Sequence, residues 1–274
     1  MAMSVTAPTV APVRTVRLKQ IALPTEHGGW GFLLEPLVAG LAIAFSSAAP
    51  WIAVMTIGAF LTRQPLKILV IDRRGMKDRS RATAALAFGL IYSAIFAVGL
   101  VATITVAGSR PLLPFAFVLP LIIFQIYNDF SRKSRQLIPE FTGAVSISAS
   151  VAAMALAAGL PWVSALALWA IFVSRLIPSI LYVRHRLLLE KGKEFSRVTP
   201  TIAHVAALLL VAVLAYNGLS PFLTIFAMLI LLYRAASGLS PNRRKMRAMQ
   251  IGVWEVVYGA LTVLSVVVGH YVGF

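Results

Sequence analysis

The sequence predicts an all-α integral membrane protein built as a bundle of nine transmembrane helices. Of its 274 residues, 59% are hydrophobic and only 12% are charged. The mean hydropathy is +0.86, and a water-soluble fold of this length cannot bury so much apolar surface. The chain contains no cysteine, so a disulfide framework and a thiolate metal site are both excluded.

Nine apolar runs define the predicted helices, because each has a length that suits a helix crossing a bilayer core of about 30 Å. The predicted segments are 26–47, 51–71, 82–106, 112–128, 139–159, 162–184, 199–216, 219–236 and 250–272. Residues 1–22 are predicted to form a cytoplasmic tail, in which the basic residues follow the small ones, the reverse of a secretory signal peptide. Residues 23–274 are predicted to form a single transmembrane domain.

Basic residues are concentrated at one side of the predicted bundle. They occupy the tail and the segments 63–81, 129–138, 184–198 and 234–249, whereas Arg110 stands alone in an opposite loop. The positive-inside rule therefore places the N-terminus in the cytoplasm and the C-terminus, after an odd number of helices, outside. The net charge of +16 is explained by this topology and by anionic lipid headgroups, so no nucleic-acid partner is expected.

Two similar stretches in the two halves of the chain indicate an internal repeat. Residues 62–74 align with residues 174–186 without a gap, and this alignment pairs Arg63 with Arg175. A second periodicity supports it, since the predicted helices 1, 5 and 9 each begin near a glutamate; these are Glu26, Glu140 and Glu255. A shift of four helices preserves direction, so the pattern predicts two parallel four-helix repeats closed by a ninth helix. The alternative is that the helix dipole alone favours an acid in the first turn.

Three charged residues lie inside apolar segments, where an unpaired charge is costly: Glu35, Arg63 and Arg175. Each has a proline within three residues, and broken helices beside a buried charge are typical of polar cavities. One carboxylate cannot neutralise Arg63, Arg175 and Lys67 together, so the excess positive charge predicts a bound anion. We therefore expect Arg63 and Arg175 to meet in one polar chamber, and replacement of either by alanine to abolish anion binding without unfolding the protein. The structural alternative is that Glu35 pairs with an arginine and locks the bundle.

The junction between the fourth and fifth helices adds amide, acidic and basic groups at the same side. Arginine forks suit phosphate oxygens, and lysine acts as a point charge. The predicted substrate-binding residues are Arg63, Gln64, Lys67, Asp72, Tyr127, Asn128, Asp129, Arg132, Lys133, Glu140, Arg175, Arg184 and Glu255. The candidate catalytic residues are Glu26, His27 and Glu35, with His27 as the general base.

Three stretches of the sequence resemble the YwiC-like family of bacterial membrane proteins. They are Pro-Thr-Glu-His-Gly-Gly-Trp at residues 24–30, Arg-His-Arg-Leu-Leu-Leu-Glu-Lys-Gly-Lys at residues 184–193, and Gln-Ile-Gly at residues 250–252. This resemblance implies a location in the bacterial inner membrane and names no reaction.

A more distant resemblance is to the UbiA superfamily of intramembrane prenyltransferases, which also have nine helices. Tyr127, followed by Arg132 and Lys133, is similar to a motif after their fourth helix. The superfamily implies Asp-rich metal motifs on helices 2 and 6, but here the second helix has Arg63 and Lys67 and the sixth has no acid. Because magnesium bound to diphosphate requires carboxylates, neither a metal nor another cofactor is expected.

The leading hypothesis is a membrane protein that binds a phosphorylated or lipid-linked anion in a basic, cytoplasm-facing cavity. A UbiA-like transferase, with arginines in place of the metal motifs, is one form of this hypothesis. The alternatives are a transporter or flippase for a small anionic substrate and a structural membrane scaffold. Membrane lipid is the expected partner, and the sequence does not define an oligomeric state. A ligand-binding protein predicts an open cavity reached by Arg63, Arg175 and Glu35, whereas a scaffold predicts that these groups are paired.

Overall fold

The computed structural model describes residues 18–24, 27–73, 79–131, 133 and 136–273, with the backbone alone at residues 27, 72, 73 and 79. Every regular element in these residues is helical. The α-helices are α1 (Leu18–Ala22), α2 (His27–Ile43), α3 (Ala49–Arg73), α4 (Arg79–Ala107), α5 (Leu113–Phe117), α6 (Leu119–Phe130), α7 (Leu137–Ala157), α8 (Trp162–Glu190), α9 (Val198–Tyr216), α10 (Leu223–Gly238) and α11 (Ala248–Val272). A short 3-10 helix, Arg110–Leu112, precedes α5. The predicted all-α class is confirmed for the described part of the chain.

Helical structure coincides with each of the nine predicted apolar segments, and the differences lie at breaks and ends. The fourth segment is bent by 52° between residues 110–117 and α6. Pro111, Pro114 and Pro120 begin its three pieces, since proline lacks an N–H and starts helices more readily than it continues them.

Helix α8 shows the largest extension beyond a predicted end, and this extension contains a buried arginine. The predicted segment ends at Arg184, whereas α8 continues to Glu190, so Arg186 lies in a helix and not in the predicted loop. Helix α10 ends at Gly238, close to the predicted end, and includes Arg234, which lies in the predicted segment 219–236 and was also counted with the basic segment 234–249. The predicted end of α8 is wrong because arginines that the fold keeps in the helix interrupt the apolar run.

Six helices are long and apolar enough to cross a membrane, namely α3, α4, α7, α8, α9 and α11. The bent pair formed by residues 110–117 and α6 gives a seventh if it is counted as one span, and α2 and α10 are shorter apolar helices. The chain therefore has the helices of a multi-pass membrane protein.

Six helices pack as a closed ring that positions the buried charges. Helix α2 packs against α7 and α11, and the ring continues from α7 through α8, α9 and α10 to α11. Helices α7 and α8 are the most deeply buried of the long helices, and α7 contributes fully buried small residues such as Ser148, Ala149, Ala152 and Ala153. Small side chains allow neighbouring helices to approach closely in a membrane protein, where the hydrophobic effect contributes little between helices.

A second group of helices lies against the outside of this ring. Helices α3 and α4 form a close pair, in which a side chain added at Gly58 or Gly99 would overlap the backbone of the facing helix. Helix α3 also contacts α7 and α6, and α6 packs on α7. The space enclosed by α2, α3, α6, α7 and α8 contains the candidate site.

Candidate functional site

A cavity of about 540 Å³, called here the main cavity, lies between these five helices. Its charged and polar lining residues are Arg63, Gln125, Glu140, Arg184 and Lys191. Its larger apolar lining residues are Phe32, Phe60, Ile147, Leu187 and Leu188. The site therefore combines an ionic surface with an apolar wall.

Arg63 reaches the main cavity from the second half of α3 and forms a forked ion pair with Asp129 of α6. Its Nε and Nη2 atoms donate to the two carboxylate oxygens, and the Nη2 to Oδ1 distance is 2.8 Å. The Asp129 side chain is 2% exposed, whereas that of Arg63 is 27% exposed. The buried carboxylate thus orients a guanidinium group that keeps one accessible face.

Gln125 supports the same pair from one turn earlier on α6. Its side-chain amide lies 3.2 Å from the Thr142 hydroxyl oxygen of α7. In the favoured orientation of the amide, its oxygen accepts from Arg63 and its nitrogen donates to the Pro139 carbonyl and the Thr142 hydroxyl. Arg63 is therefore held in place from α6, and α6 is tied to α7 at the same point.

A second ion pair lines the cavity where α7 begins. Arg184 Nη1 of α8 lies 2.6 Å from Glu140 Oε2, and both side chains are 37% exposed. Glu140 is in the first turn of α7, where the helix dipole favours a carboxylate. This exposed pair is open to exchange with a ligand, since exposed ion pairs contribute at most about 1 kcal/mol.

A small adjoining cavity of about 20 Å³ extends along α3. It shares Arg63 with the main cavity and is also lined by Gln64 and Lys67. Gln64 donates from Nε2 to the Gln20 carbonyl at 3.1 Å, which connects α3 to α1. The structure thus brings five predicted binding residues to connected surfaces, namely Arg63, Gln64, Lys67, Glu140 and Arg184.

Glu35, Arg175, Arg234 and Glu255 form a separate group, called here the buried ion cluster, at the centre of the helix ring. Arg175 is 1% exposed, and its terminal nitrogens lie 3.4 Å from Glu35 Oε1 and 3.4 Å from Glu255 Oε2. It also donates to the Glu255 backbone carbonyl at 2.9 Å and to the Ser179 hydroxyl. One arginine of α8 therefore joins α2 to α11.

Arg234 completes the cluster from α10. Its Nη1 atom pairs with Glu255, and its Nη2 atom lies 3.1 Å from His204 Nε2. His204 Nδ1 lies 2.7 Å from the Pro200 carbonyl, which only accepts, so the imidazole proton is on Nδ1 and Nε2 accepts from Arg234. The guanidinium carbon lies 4.2 Å from the Tyr182 ring centroid, a cation–π distance.

The buried ion cluster balances its own charge, because its two arginines face two carboxylates. The sequence argument for excess positive charge counted Glu35 alone and missed Asp129 as the partner of Arg63 and Glu255 as a partner of Arg175. Glu35 and Arg175 are not among the residues that line the main cavity. Their pairing corresponds to the structural alternative considered for Glu35.

The structure does not bring the two aligned arginines together. Arg63 pairs with Asp129, whereas Arg175 pairs with Glu35 and Glu255, and these ion pairs have no residue in common. One chamber containing both guanidinium groups is therefore not present in this arrangement. The two residues serve different parts of the bundle.

Three further predicted binding residues do not line the main cavity or the small adjoining cavity. Tyr127 is 67% exposed, Asn128 donates to the Phe124 carbonyl of its own helix at 2.8 Å, and Lys133 is exposed. Glu26 and Arg132, together with the side chains of His27 and Asp72, lie outside what the structure describes. Among the described residues, no three His, Asp or Glu side chains are grouped so as to hold a metal ion.

Sequence reasoning missed several residues of both groups. Arg234 lies within the predicted segment 219–236, but it was counted only among the basic residues of that side and was not assigned a buried carboxylate partner. His204 had no partner near it in sequence, because its contact Arg234 is 30 residues away. No sequence feature marked Lys191 as a binding residue, since it follows the predicted end of its helix at residue 184.

The comparisons with known proteins agree with the predicted family over part of the chain. Residues 23–155 match the family model described as YwiC-like protein, which confirms that resemblance for these residues. The matched region runs from α2 to α7 and includes Glu35, Arg63, Asp129 and Glu140. No curated protein and no solved structure matched the chain.

Proposed function

We propose that this multi-pass, YwiC-like membrane protein binds an amphipathic anion in the main cavity, with a phosphate group among the cations and an apolar chain against the wall. The observation that carries this proposal is the combination of both surfaces in one cavity of about 540 Å³. That volume is within the range of about 300–1,000 Å³ usual for small-molecule sites.

The cations of the lining are suited to phosphate oxygens. Arg184 and Arg63 are partly exposed, and arginine forks bind phosphate in two-point contacts. Lys191, exposed at the C-terminal end of α8, adds a point charge. Arg184 pairs with Glu140 and Arg63 pairs with Asp129 of α6, so Lys191 gives the site one excess positive charge, which favours an anion.

The apolar wall selects a lipid-like ligand over a free anion. Phe32 and Phe60 approach from α2 and α3, and Leu187 and Leu188 from α8. Burial of an acyl or isoprenoid chain against such side chains contributes about 0.8 kcal/mol per methylene group. A lipid-linked phosphate therefore uses more of this surface than a small phosphorylated metabolite does.

A UbiA-like transferase without Asp-rich metal motifs is the enzymatic form of this proposal. Arg63 and Arg184 would then lie beside the leaving phosphate, whose developing charge such donors stabilise. The buried ion cluster has a structural role in either form, because its charges are paired with each other.

We further propose that the chain crosses a bacterial inner membrane nine times as two parallel four-helix repeats and a closing helix, with the N-terminus in the cytoplasm. The bent segment and the shorter helices α2 and α10 would supply the three spans beyond the six long ones. Arg184 and Lys191 in the main cavity belong to the basic side of the bundle, so the cavity would open to the cytoplasm.

Cysteine labelling tests this orientation. The chain has no cysteine of its own, so an introduced cysteine is the only thiol that the reagent can label. We expect Arg110→Cys to react with a membrane-impermeant maleimide in spheroplasts, and Lys245→Cys to react only after permeabilisation. Both side chains are exposed and occupy opposite predicted sides. Labelling of Lys245→Cys in intact spheroplasts would contradict the proposed orientation.

Arg184→Gln is expected to weaken binding of decyl phosphate about tenfold, because one charge-assisted contact contributes about 1.5 kcal/mol or more. Binding would be measured by native mass spectrometry or calorimetry on the purified full chain in a neutral detergent. Decanol is the matched ligand without the phosphate and should bind wild type and variant equally.

Arg197→Gln is the matched protein control, since Arg197 is exposed at the same predicted side but is not in the lining of the main cavity. It should bind decyl phosphate as wild type does. If both variants weaken binding equally, general charge attraction explains the result and the proposed site is wrong. If wild type binds decanol as tightly as decyl phosphate, the anion proposal is wrong.

A further inference from the structure

A second cavity, of about 310 Å³, lies on the other side of α8, between α10, α11 and the loop of residues 239–247. We propose that it is a separate binding site for a phosphate group. Its lining has no residue in common with that of the main cavity. Tyr182 and Arg186 of α8 face it, whereas Val183, Arg184 and Leu187 face the main cavity, so the two sites use different faces of one helix.

Positive charge dominates the second cavity. Four arginines line it, namely Arg186, Arg234, Arg243 and Arg244. The carboxylates near them are Glu255, which pairs with Arg234, and Glu190, which lies 2.8 Å from Arg186 Nη2 and 3.4 Å from Arg243 Nε. Four guanidinium groups thus share two carboxylates, so the described residues leave an excess of positive charge.

Arg186 holds the arginine-bearing loop in a fixed position. It is 2% exposed, and it donates to the backbone carbonyls of Gly238 and Arg244, one at each end of the turn. Arg243 donates to the Leu189 carbonyl at 3.4 Å, which fixes the loop further. Arg186 contacts the backbone carbonyl of Arg244 and not its side chain. The exposed Arg244 side chain therefore projects from a loop whose backbone is held in place.

Two of the arginines that line the cavity carry buried donors without a partner. The Nε atoms of Arg186 and Arg234 are buried and have no hydrogen-bond partner among the described residues. Buried N–H groups are normally bonded, and each one left unsatisfied costs free energy. Phosphate oxygens are acceptors of the type that these donors need, and binding one would also offset the excess charge.

The position of the second cavity indicates where its phosphate comes from. Trp254 lines it and is 50% exposed, and the neighbouring residues Met249 and Val253 of α11 are 75% and 59% exposed. Half-exposed tryptophan beside exposed apolar residues is typical of the headgroup level of a membrane. The phosphate group of an anionic lipid is therefore within reach, and a free phosphate is the other source of the same chemistry.

Calorimetry on the purified full chain in a neutral detergent tests the site, with inorganic phosphate and dihexanoyl phosphatidylglycerol as probes. Binding is measured with wild type and with an Arg184→Gln background. In this background, binding in the main cavity is weakened, so the binding that remains reports the second cavity. In that background, Arg244→Gln is expected to weaken binding of both probes about tenfold, since the Arg244 carbonyl that anchors the loop remains. Lys245→Gln removes a charge from the same loop outside the cavity lining and should change binding by less than about twofold.

Each outcome decides the proposal. Tighter binding of the phospholipid than of inorganic phosphate assigns the site to lipid headgroups, and equal binding assigns it to free phosphate. Equal weakening by Arg244→Gln and Lys245→Gln overturns the proposal, and so does the loss of all binding in Arg184→Gln alone. If Arg184→Gln binds as wild type does while Arg244→Gln is weak, the second site stands and the main-cavity proposal fails.

Discussion

Replacing Glu255 with glutamine is expected to destabilise the folded bundle by about 3–5 kcal/mol, the usual effect of breaking a buried ion pair. Glu255 pairs with both Arg175 and Arg234, which are 1% and 5% exposed. In the variant, Glu35 would be the only carboxylate left in the buried ion cluster for two guanidinium groups. Glutamine keeps the shape of the side chain, so the loss measures charge and not packing.

Unfolding in mixed detergent micelles, followed by circular dichroism, measures this change in stability. Glu194→Gln is the matched control, because Glu194 is exposed in the loop after α8 and lies outside the buried ion cluster. Its change should be within about 0.5 kcal/mol. A Glu255→Gln protein as stable as the control would show that the cluster does not depend on charge balance.

Charge balance also predicts how a second substitution behaves. The double variant Glu255→Gln/Arg234→Gln removes one charge of each sign, so it should be more stable than the sum of the single effects by roughly 1–3 kcal/mol. Additive effects would instead indicate that packing around Tyr182 and Tyr258 determines the cost.

The helices were predictable because hydropathy and span length are local properties of the sequence. All nine apolar segments coincide with helices, and the boundaries at the α9 start and the α11 end agree within a residue. The extension of α8 to Glu190 was missed because Arg186 is a charged residue that the fold buries. A local hydropathy pattern does not distinguish a buried arginine from the first residue of a loop.

The charge pairs were not predictable, because their partners are distant in sequence. Arg63 and Asp129 are separated by 66 residues, and Arg175 and Glu255 by 80. The alignment of Arg63 with Arg175 suggested one common role, but α3 lies outside the ring of helices whereas α8 lies within it. Similar local sequences therefore occupy two sites with different solvent access, and of the two arginines Arg63 is the one that lines the main cavity.

This difference reverses the expectation for Arg175→Ala, which the sequence predicted would abolish anion binding in a folded protein. The structure instead predicts failure to fold or insert, with a loss of at least about 3–5 kcal/mol. Arg175 is the ion-pair partner of Glu35, which is 7% exposed on α2, and it also bonds the Glu255 backbone. Without it, two carboxylates face Arg234 alone, and the truncated side chain leaves a cavity.

Expression as a fluorescent fusion, followed by size-exclusion chromatography in detergent, separates the two expectations. Arg110→Ala, at an exposed position of the 3-10 helix, should elute as wild type does. Arg175→Met combined with Glu35→Gln replaces a pair of charges by neutral groups of similar size, and it should recover a monodisperse peak that Arg175→Ala lacks. A folded Arg175→Ala that has lost decyl phosphate binding would place Arg175 in the ligand site after all, because the ion pairs would then be dispensable for the fold.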